Sequence, residues 1–290
     1  MRRVPDELAP LYVQVRSPAA AWFARRECAD AIGRGEADSL FHLKTGGPVR
    51  PGSGRGPMVR LMLAGQPAIG KRALHGGLLG PLFGRLYLGQ GRALDQLLSA
   101  VRLERAGIPT PAVLAVGSAR AFGLFREQAI VTRQLEGARN LYELAGGAPP
   151  HDRRRDILRL CADLLRQLHD AGFLHGDLNV SNLVMERGPS GETLHVVDLD
   201  RGRFRLVVTP RERLANLARL LRSYEKWIAG SLRLSPREEI CFLRCYVGHD
   251  RELTRFLAKR LVRYRSRLAL KRLRWRLGSP SKDRLAGPLQ

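Results

Sequence analysis

Apolar residues recur with two different spacings along the chain, and the spacing changes near its middle. Short apolar runs at residues 40–43, 58–63 and 67–74 are separated by Gly- and Pro-rich connections and have the length of β-strands. Runs at 112–116 and 129–132 have the same character. Between these groups, apolar residues three and four positions apart predict one helix: Leu94, Leu97, Leu98 and Val101. The first half is therefore predicted to be a sheet with one helix.

The second half is predicted to be mainly helical. One helix ends before Gly172, and its apolar face is formed by residues at helical spacing: Ile157, Cys161, Leu164 and Leu168. Two short apolar segments at 183–185 and 194–197, joined by a polar turn, predict a β-hairpin. Beyond Pro210 the spacing predicts helices. Strands followed by helices favour an α+β fold over alternating βαβ units.

These patterns divide the chain into five segments. Residues 1–37 combine several prolines with a short amphipathic stretch, and they are predicted to be an N-terminal extension or an additional helix. The remaining segments are a sheet-rich unit (38–136), a helix-rich unit (137–249), a basic amphipathic helix (250–277) and a flexible tail (278–290).

Composition narrows the class of protein. With 44% hydrophobic residues, the chain of 290 residues can bury a sizeable core. It contains no run of about 18 uncharged apolar residues, and Asp6 and Glu7 precede any apolar run, so no secretory signal is predicted. The cysteines are too few for a disulfide scaffold and are predicted to be reduced thiols of a cytoplasmic protein: Cys28, Cys161, Cys241 and Cys245.

The chain is strongly basic. Its 50 Lys and Arg residues against 27 Asp and Glu residues give a formal net charge of +23. This charge indicates a polyanionic partner, which could be nucleic acid, a phosphorylated small molecule or an anionic membrane surface. An Arg-rich composition inherited from a GC-rich genome would account for part of the excess without any function.

The residues that indicate chemistry lie around the predicted hairpin. Residues 173–184 follow a helix end and precede a strand, so the polar residues within them are predicted to lie on a loop. Asp177 and Asn182 are five positions apart, and Asp198 ends the second strand of the hairpin. Phosphoryl transfer from a nucleotide uses this set: one carboxylate orients the acceptor hydroxyl, while an amide oxygen and another carboxylate hold Mg²⁺. A turn cap would explain each residue alone, but the ordered set favours a kinase.

The same residues resemble a known family. The sequence His-Gly-Asp-Leu-Asn-Val-Ser-Asn at 175–182, followed by Val-Asp-Leu-Asp-Arg-Gly-Arg-Phe at 197–204, is similar to the bacterial lipopolysaccharide kinases, and in particular to the Kdo (3-deoxy-D-manno-octulosonic acid) kinases. These kinases belong to the protein-kinase-like superfamily. Three further stretches support the resemblance, at 71–78, 106–111 and 215–223. It implies a bilobal protein-kinase-like fold with a β-rich N-lobe containing one helix and a mainly α-helical C-lobe.

The resemblance also implies roles for individual residues. Asp177 would be the catalytic base, and Asn182 and Asp198 would be Mg²⁺ ligands. Lys71 would hold the phosphates of ATP, and His175 would support the loop rather than carry a proton. Two neighbouring arginines are alternatives to Lys71: Arg60 and Arg72.

The sequence departs from the family pattern in the N-lobe. Kinases pair the strand Lys with a Glu on the following helix, and Gln96 occupies that position here, next to Asp95. Either Asp95 pairs with Lys71 or the ion pair is absent, which would lower activity or leave only a binding module. The glycines at 46–56 lie where kinases have a phosphate-covering loop, although a surface loop explains them equally well.

The segment 250–277 contains eleven basic residues against two acidic ones. As an amphipathic helix it would suit an anionic bilayer surface, and a core helix with a solvated outer face explains it equally well. RNA binding is a third interpretation, disfavoured because aromatic residues make up only 6% of the chain.

The resemblance thus implies an ATP- and Mg²⁺-dependent kinase that phosphorylates a sugar hydroxyl of an anionic lipopolysaccharide inner-core glycolipid, Kdo–lipid A. Such an enzyme would be cytoplasmic and would contact the inner face of the cytoplasmic membrane peripherally. A kinase-like phosphotransferase for a protein or small molecule remains an alternative, and so does a catalytically silent module that binds anionic lipid or RNA.

Overall fold

The structure is a computed structural model that describes residues 5–42, 58–73, 87–88, 91–121, 125–189 and 191–260. The N-lobe carries a seven-stranded antiparallel sheet, and the C-lobe is mainly helical. The predicted α+β, bilobal architecture is therefore confirmed.

The strands of the described residues are β1 (Tyr12–Arg16), β2 (Ala21–Arg25), β3 (Met58–Leu63), β4 (Gln66–Arg72), β5 (Tyr87–Leu88), β6 (Val113–Arg120), β7 (Phe125–Arg133), β8 (Arg139–Asn140), β9 (Phe173–Leu174), β10 (Leu183–Gly188), β11 (Gly191–Val196) and β12 (Arg203–Phe204). Their helices are α1 (Ala29–Gly33), α2 (Ser39–His42), α3 (Gly91–Arg105), α4 (Leu141–Gly146), α5 (His151–Asp170), α6 (Pro210–Trp227), α7 (Pro236–Val247) and α8 (251–260).

The N-lobe sheet has the strand order β1-β2-β6-β7-β4-β3, with β5 beside β7. Lys71 lies near the end of β4, where it pairs with Met58 on one side and Ile130 on the other. The predicted strands at 58–63, 67–74, 112–116 and 129–132 correspond to β3, β4, β6 and β7.

The structure departs from the predicted boundary at residue 38. Strands β1 and β2 pair with each other, and β2 pairs with β6, so the segment 1–37 contributes two strands to the N-lobe sheet. Trp22 of β2 is fully buried and packs over Gly117 of β6, where an added Cβ would lie 2.6 Å from the indole ring. The pattern of residues 1–37 does not show this, because the partner strand lies far along the chain.

The predicted strand at residues 40–43 is wrong, because residues 39–42 form the single helical turn α2. Leu40 is fully buried and packs against Gly70 of β4, where an added Cβ would lie 2.5 Å from a methyl group of Leu40. An apolar run of four residues fits either element, and here tertiary packing selects the helix. The Gly-rich segment 46–56 lies outside the described residues.

The C-lobe contains the predicted hairpin, formed by β10 and β11. Helix α6 begins at a capping box in which Thr209 accepts a hydrogen bond from the backbone of Glu212, and Ser235 does the same at the start of α7. The predicted helix at 250–277 is described as far as residue 260, and the segment 278–290 lies outside the described residues. None of the helices in the described ranges is long and apolar enough to cross a bilayer.

The two lobes share one hydrophobic core. It joins Leu97 of α3 and Val116 of β6 to Leu165 of α5 and to Leu199, which follows the hairpin. At the connection between the lobes, Arg133 of β7 donates two hydrogen bonds, of 2.9 and 3.1 Å, to the carboxylate of Glu186 in β10. These contacts fix the hairpin, and the residues at its ends, against the N-lobe sheet.

Candidate functional site

The loop between β9 and β10 is built around the imidazole of His175, which is 1% exposed. The backbone N–H of Asp177 donates to His175 Nδ1 at 3.1 Å, so the ring proton is on Nε2, which donates to the carbonyl of Val197 at 2.9 Å. Burial lowers the pKa of His175, which keeps the ring neutral. His175 therefore ties the loop to the residue that precedes Asp198.

Two asparagine side chains hold the backbone at Asp177. Asn182 donates from its amide nitrogen to the Asp177 carbonyl at 2.8 Å, and Asn179 donates to the same oxygen at 3.0 Å. Asn179 also caps the short 3-10 turn Val180–Asn182 by accepting from the backbone of Ser181. These bonds use the amide nitrogen of Asn182 and leave its oxygen as the atom suited to a cation.

Asp198 lies beside this loop because the two ends of the hairpin are paired. The backbone N–H of Val197 donates to the carbonyl of Asn182 at 3.0 Å. Asp198 itself adopts a left-handed conformation with φ 63° and ψ 54°, which is uncommon for a residue with a side chain. Such conformations persist where the surrounding structure holds them, and they cluster at functional sites.

The Lys71 ammonium contacts Asp198, with Nζ 2.6 Å from Oδ1. The structure thus joins the N-lobe strand to the end of the C-lobe hairpin through one ion pair between partly exposed side chains. The two alternative cations are placed differently. Arg60 is exposed on the edge strand β3, and Arg72 is buried in an ion pair with Glu127.

The helix that follows Lys71 does not supply its anionic partner. Gln96 lines the same cleft as Lys71, whereas Asp95 is exposed and forms no ion pair with any residue that the structure describes. Helix α3 instead supplies a cation, because its Arg92 forms an ion pair with Asp200 in the segment after the hairpin. The sequence did not indicate the pairing of Arg92 with Asp200.

The loop at 106–111 has a structural role that its sequence does not state. The carbonyl of Pro109 accepts a hydrogen bond of 3.0 Å from the backbone of Val196, and the Thr110 hydroxyl donates to the Val196 carbonyl at 3.0 Å. This N-lobe loop therefore holds the end of β11 two residues before Asp198.

The residues present fit a magnesium ion. Mg²⁺ prefers oxygen ligands and completes its octahedral shell with phosphate oxygens and water rather than with an all-protein cage. The carboxylate of Asp198, which lines the cleft, and the amide oxygen of Asn182 would supply that kind of partial ligand set.

A buried series of hydrogen bonds from the C-lobe helices supports the loop that carries Asp177. Asn216 of α6 donates to the His175 carbonyl at 2.7 Å, and its own carbonyl lies 3.1 Å from His169 Nε2. His169 Nδ1 lies 2.6 Å from the Tyr246 hydroxyl of α7. Since the Asn216 oxygen can only accept, His169 is protonated on Nε2 and accepts from Tyr246. The sequence does not reveal these hydrogen bonds, because His169, Asn216 and Tyr246 come from three different helices.

The buried His169 makes the stability of the protein depend on pH. Burial lowers the pKa of His169 from 6.5 to about 4, with Arg213 and Asp170 acting in opposite directions. The unfolded state therefore binds more protons below pH 6.5, and this contribution to stability is complete above that pH and lost as pH falls towards 4. The loss is at most about 3 kcal/mol. We expect urea unfolding at pH 7.5 and 4.5 to show a smaller pH dependence in His169→Gln than in wild type, and equal dependences would contradict the assignment.

A family model and individual relatives of known function both relate the chain to the same family of kinases. The model of the lipopolysaccharide kinase (Kdo/WaaP) family matches residues 81–246. A 3-deoxy-D-manno-octulosonic acid kinase of Stenotrophomonas maltophilia strain R551-3 is 32% identical over 208 residues, which cover 68% of this chain and 78% of that protein. One of Xanthomonas campestris pv. campestris strain B100 is 34% identical over 160 residues, covering 52% of this chain and 59% of that protein.

Structural comparison supports the fold. A solved structure of WaaP in complex with acyl carrier protein superimposes with a TM-score of 0.51 at 21% identity, and the match covers 78% of this chain and 91% of that one.

Proposed function

The chain belongs to the lipopolysaccharide kinase (Kdo/WaaP) family and is a phosphotransferase acting on a sugar hydroxyl, and we propose that it transfers the γ-phosphoryl group of ATP to Kdo–lipid A. The observation that carries the proposal is the Lys71–Asp198 contact beside the loop that bears Asp177 and Asn182. The contact supports a site in which Lys71 would bind phosphates, Asn182 and Asp198 would hold a metal ion and Asp177 would act as the base.

In the proposed reaction Asp177 orients the attacking sugar hydroxyl and accepts its proton as the new P–O bond forms and the bond between the γ-phosphorus and the β–γ bridging oxygen breaks, which releases ADP. Bound Mg²⁺ would be held by Asn182 and Asp198 and would neutralise charge on the phosphates. Lys71 would bind the same phosphates, since its ammonium already lies against Asp198. Kinase catalysis depends mainly on positioning and on electrostatic stabilisation, and the bonds through His175 supply the positioning.

The acceptor that we propose is an anionic glycolipid at the inner face of the cytoplasmic membrane, so the enzyme would be cytoplasmic and peripherally attached. The carboxylates and phosphates of such an acceptor complement the net charge of +23. The named relatives are 3-deoxy-D-manno-octulosonic acid kinases, which supports Kdo as the phosphorylated sugar.

We expect purified protein with Mg²⁺ and γ-labelled ATP to label a lipid A acceptor that carries Kdo and to leave lipid A without Kdo unlabelled. The physical reason is that the proposed acceptor hydroxyl is present only in the first glycolipid. Thin-layer separation of the products measures the transfer. Equal labelling of both glycolipids would contradict Kdo as the acceptor, and label appearing only in inorganic phosphate would contradict the transfer itself.

A further inference from the structure

Helix α6 presents a basic stripe to solvent that the proposed chemistry does not use. The stripe consists of Arg211, Arg219, Arg222 and Lys226, whose spacing of eight, three and four places them on one face. All four are exposed, and the other exposed positions of α6 are Pro210, Ala215 and Trp227, so none of its exposed positions is acidic. The helix is 18 residues long, so the stripe belongs to a surface about 27 Å in length.

Exposed apolar side chains lie at both ends of this helix. Before it, Leu206 is fully exposed and Val207 is 75% exposed in the loop after β12. At its other end, Trp227 packs edge-to-face against Tyr142 of α4, and both rings are about half exposed. Four of the seven large apolar side chains exposed among the described residues therefore lie at the ends of α6.

We infer that this surface, the α6 stripe together with Leu206, Val207, Tyr142 and Trp227, docks on the surface of an anionic lipid bilayer. The inference rests on the proposed function in that the acceptor would be a glycolipid of that bilayer. Arginine and lysine side chains are attracted by anionic headgroups, and exposed leucine, valine, tryptophan and tyrosine side chains partition into the interface beneath them.

The composition of the surface favours a bilayer over nucleic acid. A phosphate backbone would contact the stripe, but it would offer no apolar surface to bury Leu206 or Val207. The basic helix near the C-terminus offers less apolar surface than its sequence suggests. In its described part the apolar residues Leu253 and Leu257 are buried in the core of the protein.

Docking through α6 would bring the catalytic loop to the membrane. Arg219 of the stripe donates a hydrogen bond to the carbonyl of Gly176, and Ser223, on the same helix, accepts from the backbone of Val180 at 3.2 Å. The loop that carries Asp177 is thus attached to the same helix whose basic stripe would face the headgroups. An acceptor sugar projecting from the bilayer would then meet Asp177 without leaving its membrane.

We expect the full-length protein to sediment with vesicles of phosphatidylcholine and phosphatidylglycerol, and not with vesicles of phosphatidylcholine alone. Arg222→Ala/Lys226→Ala removes two cations from the stripe and should weaken binding about 30-fold, because each contributes about fivefold near an anionic surface. Leu206→Ser/Val207→Ser should weaken binding about tenfold through the loss of apolar insertion. The matched control, Arg16→Ala/Arg120→Ala, removes two exposed cations of the N-lobe sheet and should bind as wild type does.

The docking surface would be overturned if both the arginine–lysine variant and the leucine–valine variant bound vesicles as tightly as wild type. It would also be overturned if vesicle binding by the N-lobe control were weakened as much as that of these variants. It would be overturned equally if single-stranded RNA bound more tightly than the vesicles and competed with them. Asp177→Asn should bind vesicles as wild type does although it loses phosphoryl transfer. A failure of transfer by the wild-type protein with intact vesicle binding would contradict the proposed function alone. Normal transfer to a detergent-dispersed acceptor without any vesicle binding would contradict the docking surface alone.

Discussion

Asp177→Asn will lower kcat for phosphoryl transfer by about 10²–10⁴-fold while leaving the fold and the affinity for ATP with Mg²⁺ close to those of wild type. Asparagine has the shape of aspartate but cannot accept the proton of the acceptor hydroxyl. The bonds from Asn179 and Asn182 end on the backbone carbonyl of residue 177, so the substitution does not disturb them. Single-turnover transfer from ATP measures the chemical step.

The control for this substitution is Asp156→Asn, which removes an equivalent carboxylate from the exposed surface of α5, where it pairs with Arg159. This variant should retain full activity. Wild-type kcat in Asp177→Asn would contradict the role of Asp177 as base. A loss of ATP affinity equal to the loss of kcat would instead assign Asp177 to nucleotide binding.

Asp198→Asn will abolish the magnesium-dependent part of nucleotide affinity and with it nearly all activity. The charge that would hold the ion is removed, and Lys71 loses its partner at 2.6 Å. Calorimetric titration with ATP, with and without Mg²⁺, measures the difference directly.

We expect Lys71→Met to weaken nucleotide binding while retaining its dependence on Mg²⁺, because the Asp198 carboxylate remains.

Asp200→Asn is the matched control, since it removes a carboxylate two residues away that pairs with Arg92. It should loosen the contact with α3 yet keep the Mg²⁺ dependence of nucleotide binding. If Asp198→Asn bound ATP with Mg²⁺ as tightly as wild type, Asp198 would not be a metal ligand.

Local features of the C-lobe could be predicted from sequence because they depend on residues close together in the chain. The hairpin of β10 and β11 has its turn between two short apolar segments, and its closure brings Asn182 and Val197 into register. The juxtaposition of the catalytic loop with Asp198 follows from that closure. The spacing of Asp177 and Asn182 in the sequence therefore reflects their placement in one loop.

Long-range pairing could not be predicted in the same way. Strands β1 and β2 join the sheet through β6, and the amphipathic pattern around Trp22 does not distinguish that outcome from a separate helix. The contact of Lys71 with Asp198 was not predicted, since the sequence offered only Asp95 as an anionic partner for Lys71. The partner of Arg92 and the series of hydrogen bonds from Tyr246 to His175 depend on helix packing, which leaves no local sequence signal.

The structure shows where some of the basic residues of the chain are exposed. Sequence analysis assigned much of the positive charge to the segment 250–277, yet the described part of that segment buries its apolar face in the core. The α6 stripe was not recognised in the sequence, because its basic residues alternate with buried ones. This pattern is that of an ordinary amphipathic helix. Only the exposure of the residues at both ends of α6 marks that surface as unusual.

The most direct test of the central claim is mass spectrometry of Kdo–lipid A after incubation with ATP, Mg²⁺ and either wild-type protein or Asp177→Asn. The account predicts that the glycolipid gains one phosphoryl group on its Kdo unit with wild type and remains unmodified with the variant over the same time. A glycolipid left unmodified by wild type, or modified equally by both proteins, would contradict it.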